Sequence, residues 1–203
     1  MFRDTILEIF DQTWPMILIC MTIIISLRIA YLIKNKENLI LYKELMLLLF
    51  AIYIMCLFYV VTFQDVSWST SNFIPFKEIL RYEFGSRLFI LNVVGNMLMF
   101  LPYGFFVGYL LKNKKVIVAV ILGIITSVTI ETTQLQIGRV FDIDDIILNV
   151  FGVVIGFLIY RFLEGIRGKL PGILKHPLFY NFIVIVMLGL MGLYLFNLIK
   201  VGG

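Results

Sequence analysis

Long apolar runs without a charge dominate this chain. The run from Leu45 to Phe63 contains no charged residue and is close to the about 20 residues that a helix needs to cross a hydrocarbon core. Similar runs recur along the chain, which is 61% hydrophobic and 15% charged, too few charges to cover a soluble core of this size. Because lipid offers no hydrogen-bond partners to the backbone, such runs cross it as helices. We therefore predict an all-α fold, a polytopic helical membrane bundle.

Six runs are candidate transmembrane helices, and we expect residues 1–203 to form a single integral membrane domain. Loops on one side of these spans hold ten Lys and Arg residues, and those on the other side hold six. Lys and Arg accumulate in cytoplasmic loops, so both termini are predicted to be external. The six spans are approximately 14–33, 45–63, 88–111, 116–130, 146–160 and 178–199.

The net charge of +4 is modest and is divided among short loops, so the sequence does not indicate a nucleic-acid partner. The expected partner is membrane lipid. Zinc ligands are also not indicated, because the chain has no HExxH motif and a single histidine, His176.

One polar stretch, ETTQLQIGRVFDIDDIILN at 131–149, interrupts two apolar spans. The flanking runs 116–130 and 146–160 would each extend only about 22 Å at 1.5 Å per residue, less than the roughly 30 Å of a hydrocarbon core. If both helices cross fully, the polar groups lie within the external leaflet, where ionisable residues normally face a bundle interior or a cavity. Local thinning of the bilayer is the alternative.

Helical spacing places polar side chains from three spans at the same external level. Asp142, Asp145 and Asn149 are three and four residues apart, and glycines continue their stripe. Ser127, Glu131 and Gln134 share a face of the preceding helix, and Asn92 and Asn96 are one turn apart on the third span. We predict a tight turn around Gly138–Arg139 and acids directed toward the two asparagines. The candidate ligand-binding residues are Asn92, Asn96, Glu131, Gln134, Arg139, Asp142, Asp145 and Asn149.

These residue types allow several kinds of chemistry. Carboxylates are hard ligands for a divalent cation, with Asp142, Asp144 and Asp145 as metal candidates. Glu131 or Asp145 is the candidate general acid or base if the site is catalytic. Arg139 would bind an anionic headgroup or neutralise a neighbouring carboxylate. The structural alternative is a polar clamp that ties helix ends together.

Three stretches resemble the VanZ-like family of membrane proteins: NFIPF at 72–76, NVVGNMLMFLPYG at 92–104 and ETTQLQIGRVFDIDDIILNVFGVVIG at 131–156. From residues alone, NFIPF is an interfacial turn, because Pro75 disfavours helix at Ile74. The similarity covers a core at about 40–163, with 1–39 and 164–203 as flanking transmembrane segments. The motif positions are Asn92, Gly95, Asn96, Phe100, Pro102, Gly104, Glu131, Gln134, Arg139, Asp142, Asp145, Asn149, Gly152 and Gly156.

The resemblance implies a multi-pass protein of the bacterial cell membrane. The family is named for a component of glycopeptide-resistance clusters associated with decreased susceptibility to teicoplanin. One hypothesis is therefore a non-enzymatic envelope protein whose external pocket binds a lipid-linked cell-wall precursor or a lipoglycopeptide. A second is a membrane enzyme acting on an envelope lipid or glycan. A third is a transporter, which a polar path across the membrane and internal repeats would favour.

Overall fold

The computed structural model describes residues 2–63, 71–112 and 115–201, and most of these residues are helical. The described residues form no β-strand, so the predicted all-α class is confirmed. The helices are α1 (Phe2–Asn35), α2 (Leu41–Phe63), α3 (Lys77–Arg81), α4 (Arg87–Phe89), α5 (Gly95–Leu111), α6 (Val116–Gln136), α7 (Ile143–Lys169), α8 (Gly172–Lys175) and α9 (Pro177–Val201).

Within the described residues, five helices are long and apolar enough to cross a membrane. The third of them, Arg87–Leu111, joins α4 and α5 through a π-helical segment at Ile90–Val94. The sixth predicted span lies in α9, whose apolar stretch Pro177–Gly189 belongs to a 25-residue helix. The chain is thus a multi-pass membrane protein.

The predicted bounds of the fourth and fifth spans were too short. The helix α6 has 21 residues and α7 has 27, because both continue through polar residues that the apolar runs left out. At 1.5 Å per residue they extend about 32 and 40 Å, enough to cross a hydrocarbon core without thinning it. Glu131 and Asp145 consequently lie within the helices. The short length of the predicted 15-residue spans therefore cannot be used to place their side chains within the membrane.

The chain divides into two compact units, each made of separated segments. The first unit contains residues 1–14 and 53–165, and its core includes Leu57, Phe100, Ala119, Val153 and Phe157. These side chains come from α2, α5, α6 and α7. They therefore pack these four helices around one apolar centre.

The second unit contains residues 15–52 and 166–203. In it, the Arg28 guanidinium donates to both carboxylate oxygens of Glu44, at 2.8 and 3.0 Å. The side-chain oxygen of Asn181 accepts the Tyr42 backbone N–H at 3.0 Å. These polar contacts join α1 to α2 and α2 to α9.

Close backbone contact fixes how α5 and α7 pack in the first unit. A Cβ atom added to Gly156 would lie 1.9 Å from the Leu101 carbonyl oxygen, and one on Gly152 would lie 2.1 Å from that of Met97. Both glycines therefore lie directly against the α5 backbone, as small residues do where membrane helices approach closely. Contact positions rise together along both helices, so α5 and α7 are parallel and their N-terminal ends lie at the same end of the unit.

Candidate functional site

Polar side chains from α5, α6 and α7 meet at one end of the first unit. We call this group the polar cluster; its members are Asn96, Ser127, Glu131, Asp142, Asp145 and Asn149. All lie within or next to helices that are otherwise apolar, so their hydrogen bonds determine what the cluster can do.

The turn between α6 and α7 brings the acids together. Gly138 has a φ of +84°, a left-handed conformation that glycine adopts without steric cost. The Arg139 N–H then donates to the Gln134 carbonyl at 2.9 Å, which closes the end of α6. The predicted tight turn at Gly138–Arg139 is confirmed.

Asp142 caps the start of α7. Its Oδ1 accepts the backbone N–H of Asp144 and the Nδ2 of Asn72, both at 2.9 Å. Burial raises the pKa of the Asp142 carboxyl, as do the like charges of Asp144 and Glu78, although these two hydrogen bonds oppose the shift. The Asp142 carboxyl therefore keeps its proton to a higher pH than an exposed aspartate would.

Glu131 connects α6 to this cap. Its side chain is 2% exposed, and Oε2 accepts the backbone N–H of Asp142 at 3.0 Å. The first N–H groups of a helix have no acceptor within the helix. Glu131 supplies an acceptor for one such group at the start of α7.

Ser127 lies one turn before Glu131 on α6, and Asn149 lies one turn after Asp145 on α7. Asn149 donates from Nδ2 to the Ser127 hydroxyl at 2.9 Å. The Asn149 side chain is 3% exposed, and its Oδ1 is the buried side-chain oxygen that has no hydrogen-bond partner among the described residues. A buried acceptor without a donor is unfavourable by about 1–3 kcal/mol. This oxygen is therefore a point at which a donor from a ligand would be stabilised.

Asp145 links α7 to α5. Its Oδ1 accepts the Nδ2 of Asn96 at 2.5 Å, so the predicted orientation of the acids toward this asparagine is observed. Asn92, which was predicted to share that role, is exposed. The π-helical segment Ile90–Val94 explains the difference, because its wider turn breaks the regular period that would align Asn92 with Asn96.

The side chains of Arg139 and Gln134 contact the C-terminal end of α2. The Arg139 guanidinium and the Gln134 amide, the latter at 3.2 Å, both donate to the carbonyl oxygen of Val61. Carbonyls in the last turn of a helix lack intrahelical donors, so the two side chains cap α2. The positive charge of Arg139 also acts on the carboxyl group of Glu131, in line with the predicted neutralisation, and headgroup binding stays a prediction.

Asp144 holds the connection that precedes α5. Its side chain is 1% exposed and accepts three backbone N–H groups, from Phe76 at 2.5 Å, Glu78 at 2.7 Å and Ile79 at 3.2 Å. Its oxygens thus serve as the cap of the short helix α3.

Across the described ranges, no three His, Cys, Asp or Glu side chains form a group that could hold a metal ion. The metal candidates Asp142, Asp144 and Asp145 instead bind N–H groups of the protein.

Asn72 belongs to the site but was not among the predicted residues. Its backbone N–H donates to the Phe141 carbonyl at 2.8 Å, and its carbonyl accepts the Ile143 N–H at 3.0 Å. Asn72 and Asp142 therefore form an isolated parallel β-bridge. The sequence signal was its position at the head of NFIPF, which was interpreted only as an interfacial turn; a turn at Ile74–Phe76 is present as well.

The cluster therefore combines two kinds of contact. Asp142, with its neighbours Asp144 and Asn72 outside the cluster, is held by hydrogen bonds within the protein and has a structural role. In the described part of the chain, Glu131, Asp145 and Asn149 each form one side-chain hydrogen bond. They belong to helices that cross a membrane, where polar groups are rare and mark functional sites. These three side chains are the best candidates to contact a ligand.

Comparison with known proteins identifies a family for this chain. The family model described as VanZ/LLP1 matches residues 45–164, more than half of the chain. No curated protein and no solved structure matches the chain. The matched range contains the whole polar cluster and begins and ends within a few residues of the core predicted at 40–163. The chain therefore belongs to the VanZ/LLP1 family.

Proposed function

We propose that this protein is a bacterial cell-envelope membrane protein that binds a lipid-borne ligand at the polar cluster. The ligand class is a lipid-linked cell-wall precursor or a lipoglycopeptide such as teicoplanin. One observation carries the proposal: the buried carboxyl group of Glu131 and the Oδ1 of Asn149, which has no partner among the described residues, lie on helices that cross the membrane. A headgroup at this level would bind polar atoms while its acyl chain remained in lipid.

Hydrogen-bond chemistry supports recognition of a donor-bearing headgroup. Glu131, Asp145 and Asn149 present carboxylate and amide oxygens, which are acceptors. The Arg139 guanidinium is directed to the Val61 carbonyl. Hydroxyl, amide and ammonium groups are the complementary chemistry, and glycopeptides and lipid-linked saccharides are rich in them.

Decreased teicoplanin susceptibility would follow if the protein lowered access of a lipoglycopeptide to its target. The test is expression in a sensitive host, with susceptibility to teicoplanin compared with susceptibility to a glycopeptide that has no acyl chain. The proposal predicts a change specific to teicoplanin. An equal change for both compounds, or no change for either, would contradict the resistance role.

A membrane enzyme acting on an envelope lipid or glycan is the second candidate. It is favoured by the position of Glu131 and Asp145 on adjacent helices, where one carboxyl group could donate a proton while the other accepts one. Under this hypothesis, E131Q and D145N abolish conversion of a labelled envelope lipid in membranes that still contain folded protein. Turnover that is unchanged in both folded variants would eliminate it.

A further inference from the structure

The residues that directly precede α5 present an unusual apolar surface. We call residues 72–89 the interfacial segment. Leu80 is 81% exposed and Phe84 is 88% exposed, although both are large apolar side chains. Four more apolar side chains of the segment are at least half exposed: Phe73, Ile74, Phe76 and Leu88. Single exposed apolar residues are ordinary, but a contiguous group of this kind marks a protein or membrane contact.

The backbone of the interfacial segment is firmly attached to the start of α7. The buried carboxylate of Asp144 accepts the N–H groups of Phe76, Glu78 and Ile79. The bridge between Asn72 and Asp142 fixes the beginning of the segment. The apolar side chains are therefore held outward by a defined polar anchor, at the end of the unit where α5 and α7 begin.

The exposed surface continues onto a helix that crosses the membrane. Leu88 at 58%, Leu91 at 37% and Leu98 at 53% exposure follow one another along the Arg87–Leu111 helix. The surface of the segment is thus continuous with the lipid-facing side of a span. Exposed Lys77, Arg81 and Arg87 lie among the apolar side chains, together with Glu78 and Glu83, so the segment carries a net charge of +1. Arg81 pairs with Glu78 at 3.1 Å, which leaves Lys77 and Arg87 to attract anionic headgroups.

We propose that the interfacial segment is inserted into the headgroup layer of the adjoining leaflet, with Leu80 and Phe84 at the acyl boundary and Lys77 and Arg87 on anionic headgroups. The partner is lipid, and Asp144 is the positioning residue that sets the depth of insertion. This inference is independent of the proposed ligand, because it concerns the outward surface of the segment and not the polar cluster.

Spin labels test the insertion directly. The variants L80C, E83C and F84C are made singly in a C20S/C56S background and spin-labelled. The labelled proteins are reconstituted into vesicles of phosphatidylcholine and phosphatidylglycerol. Because Leu80, Glu83 and Phe84 are all exposed, the labels should leave the fold intact. A water-soluble nickel chelate should relax the labels at positions 80 and 84 much less than the label at position 83. Oxygen, which dissolves in lipid, should still relax the labels at positions 80 and 84. Equal nickel accessibility at all three positions would overturn the proposal.

Two further arms examine the anchor and the lipid. D144N should restore nickel accessibility at positions 80 and 84 and increase label mobility; unchanged spectra would overturn the role of Asp144. Omitting phosphatidylglycerol should reduce the depth of both labels. An unchanged depth would overturn the contribution of the basic side chains.

Discussion

Asn149 donates a hydrogen bond to the Ser127 hydroxyl at 2.9 Å, while its own Oδ1 is buried without a partner in the described part of the chain. This pair lies one helical turn from Glu131 and Asp145, along α6 and α7 respectively. The polar cluster therefore contains both a closed interhelical contact and an open acceptor. The two features can be separated by mutation.

The Ser127–Asn149 contact should show strong coupling. S127A leaves the Asn149 amide with no partner and should lower the free energy of unfolding by about 0.6–2 kcal/mol. The double variant S127A/N149L removes both polar groups and should recover most of that loss. Unfolding of the purified protein in detergent, analysed as a double-mutant cycle, measures the coupling. Additive losses would show that the hydrogen bond contributes little.

The attachment of α3 should depend on the negative charge of Asp144. D144N replaces one acceptor oxygen by a donor that faces backbone N–H groups, and each hydrogen bond to a charged group contributes about 1.5–3 kcal/mol. Amide hydrogen exchange at Phe76, Glu78 and Ile79 should accelerate by about tenfold or more, since 1.4 kcal/mol corresponds to one factor of ten. D145N is the matched control, because Asp145 does not bind these amides. Slow exchange in D144N would contradict this account.

The α5–α7 contact should not tolerate a methyl group. The Cβ of G156A would lie 1.9 Å from the Leu101 carbonyl oxygen, so the helices must separate and unfolding should become easier by about 1–3 kcal/mol or more. Gly165, on the same helix, has no atom within 4 Å of an added Cβ. G165A should be neutral or more stable by up to about 1 kcal/mol, because alanine favours helix. Thermal unfolding that ranks the two variants equally would be inconsistent with the packing described.

The cap of α7 predicts a pH dependence. The pKa of Asp142 is raised above its usual 3.8, chiefly by burial, so the folded protein binds this proton more tightly than the unfolded chain. The stabilisation is complete below the unfolded pKa and is lost as the pH rises through the folded pKa. D142N keeps an acceptor oxygen for Asn72 and Asp144 but has no proton to lose. Relative to D142N, the wild type should lose unfolding free energy as the pH rises above 3.8; a constant difference would contradict the shift.

The fold and much of the cluster could be predicted because periodic patterns determine them. Charge-free runs identified the spans, and spacings of three and four residues placed Asp145, Asn149 and the glycines on one face of α7. The remainder depends on contacts between distant segments. The Val61 carbonyl that Arg139 caps carries no side-chain signal, and the burial of Asp144 under α3 became visible only with the backbone path of residues 71–81. The π-helical segment removed Asn92 from the cluster for a similar reason, since sequence spacing assumes a regular helix.

The central claim is that the polar cluster holds a lipid-borne ligand, and native mass spectrometry of protein released from its own membranes tests it most directly. Wild-type protein and the control G165A should retain a bound species of defined mass. E131Q and D145N should lose that species while remaining folded, because each replaces one carboxyl group of the cluster by an amide. Identical bound species in all four proteins, or none in the wild type, would contradict the claim.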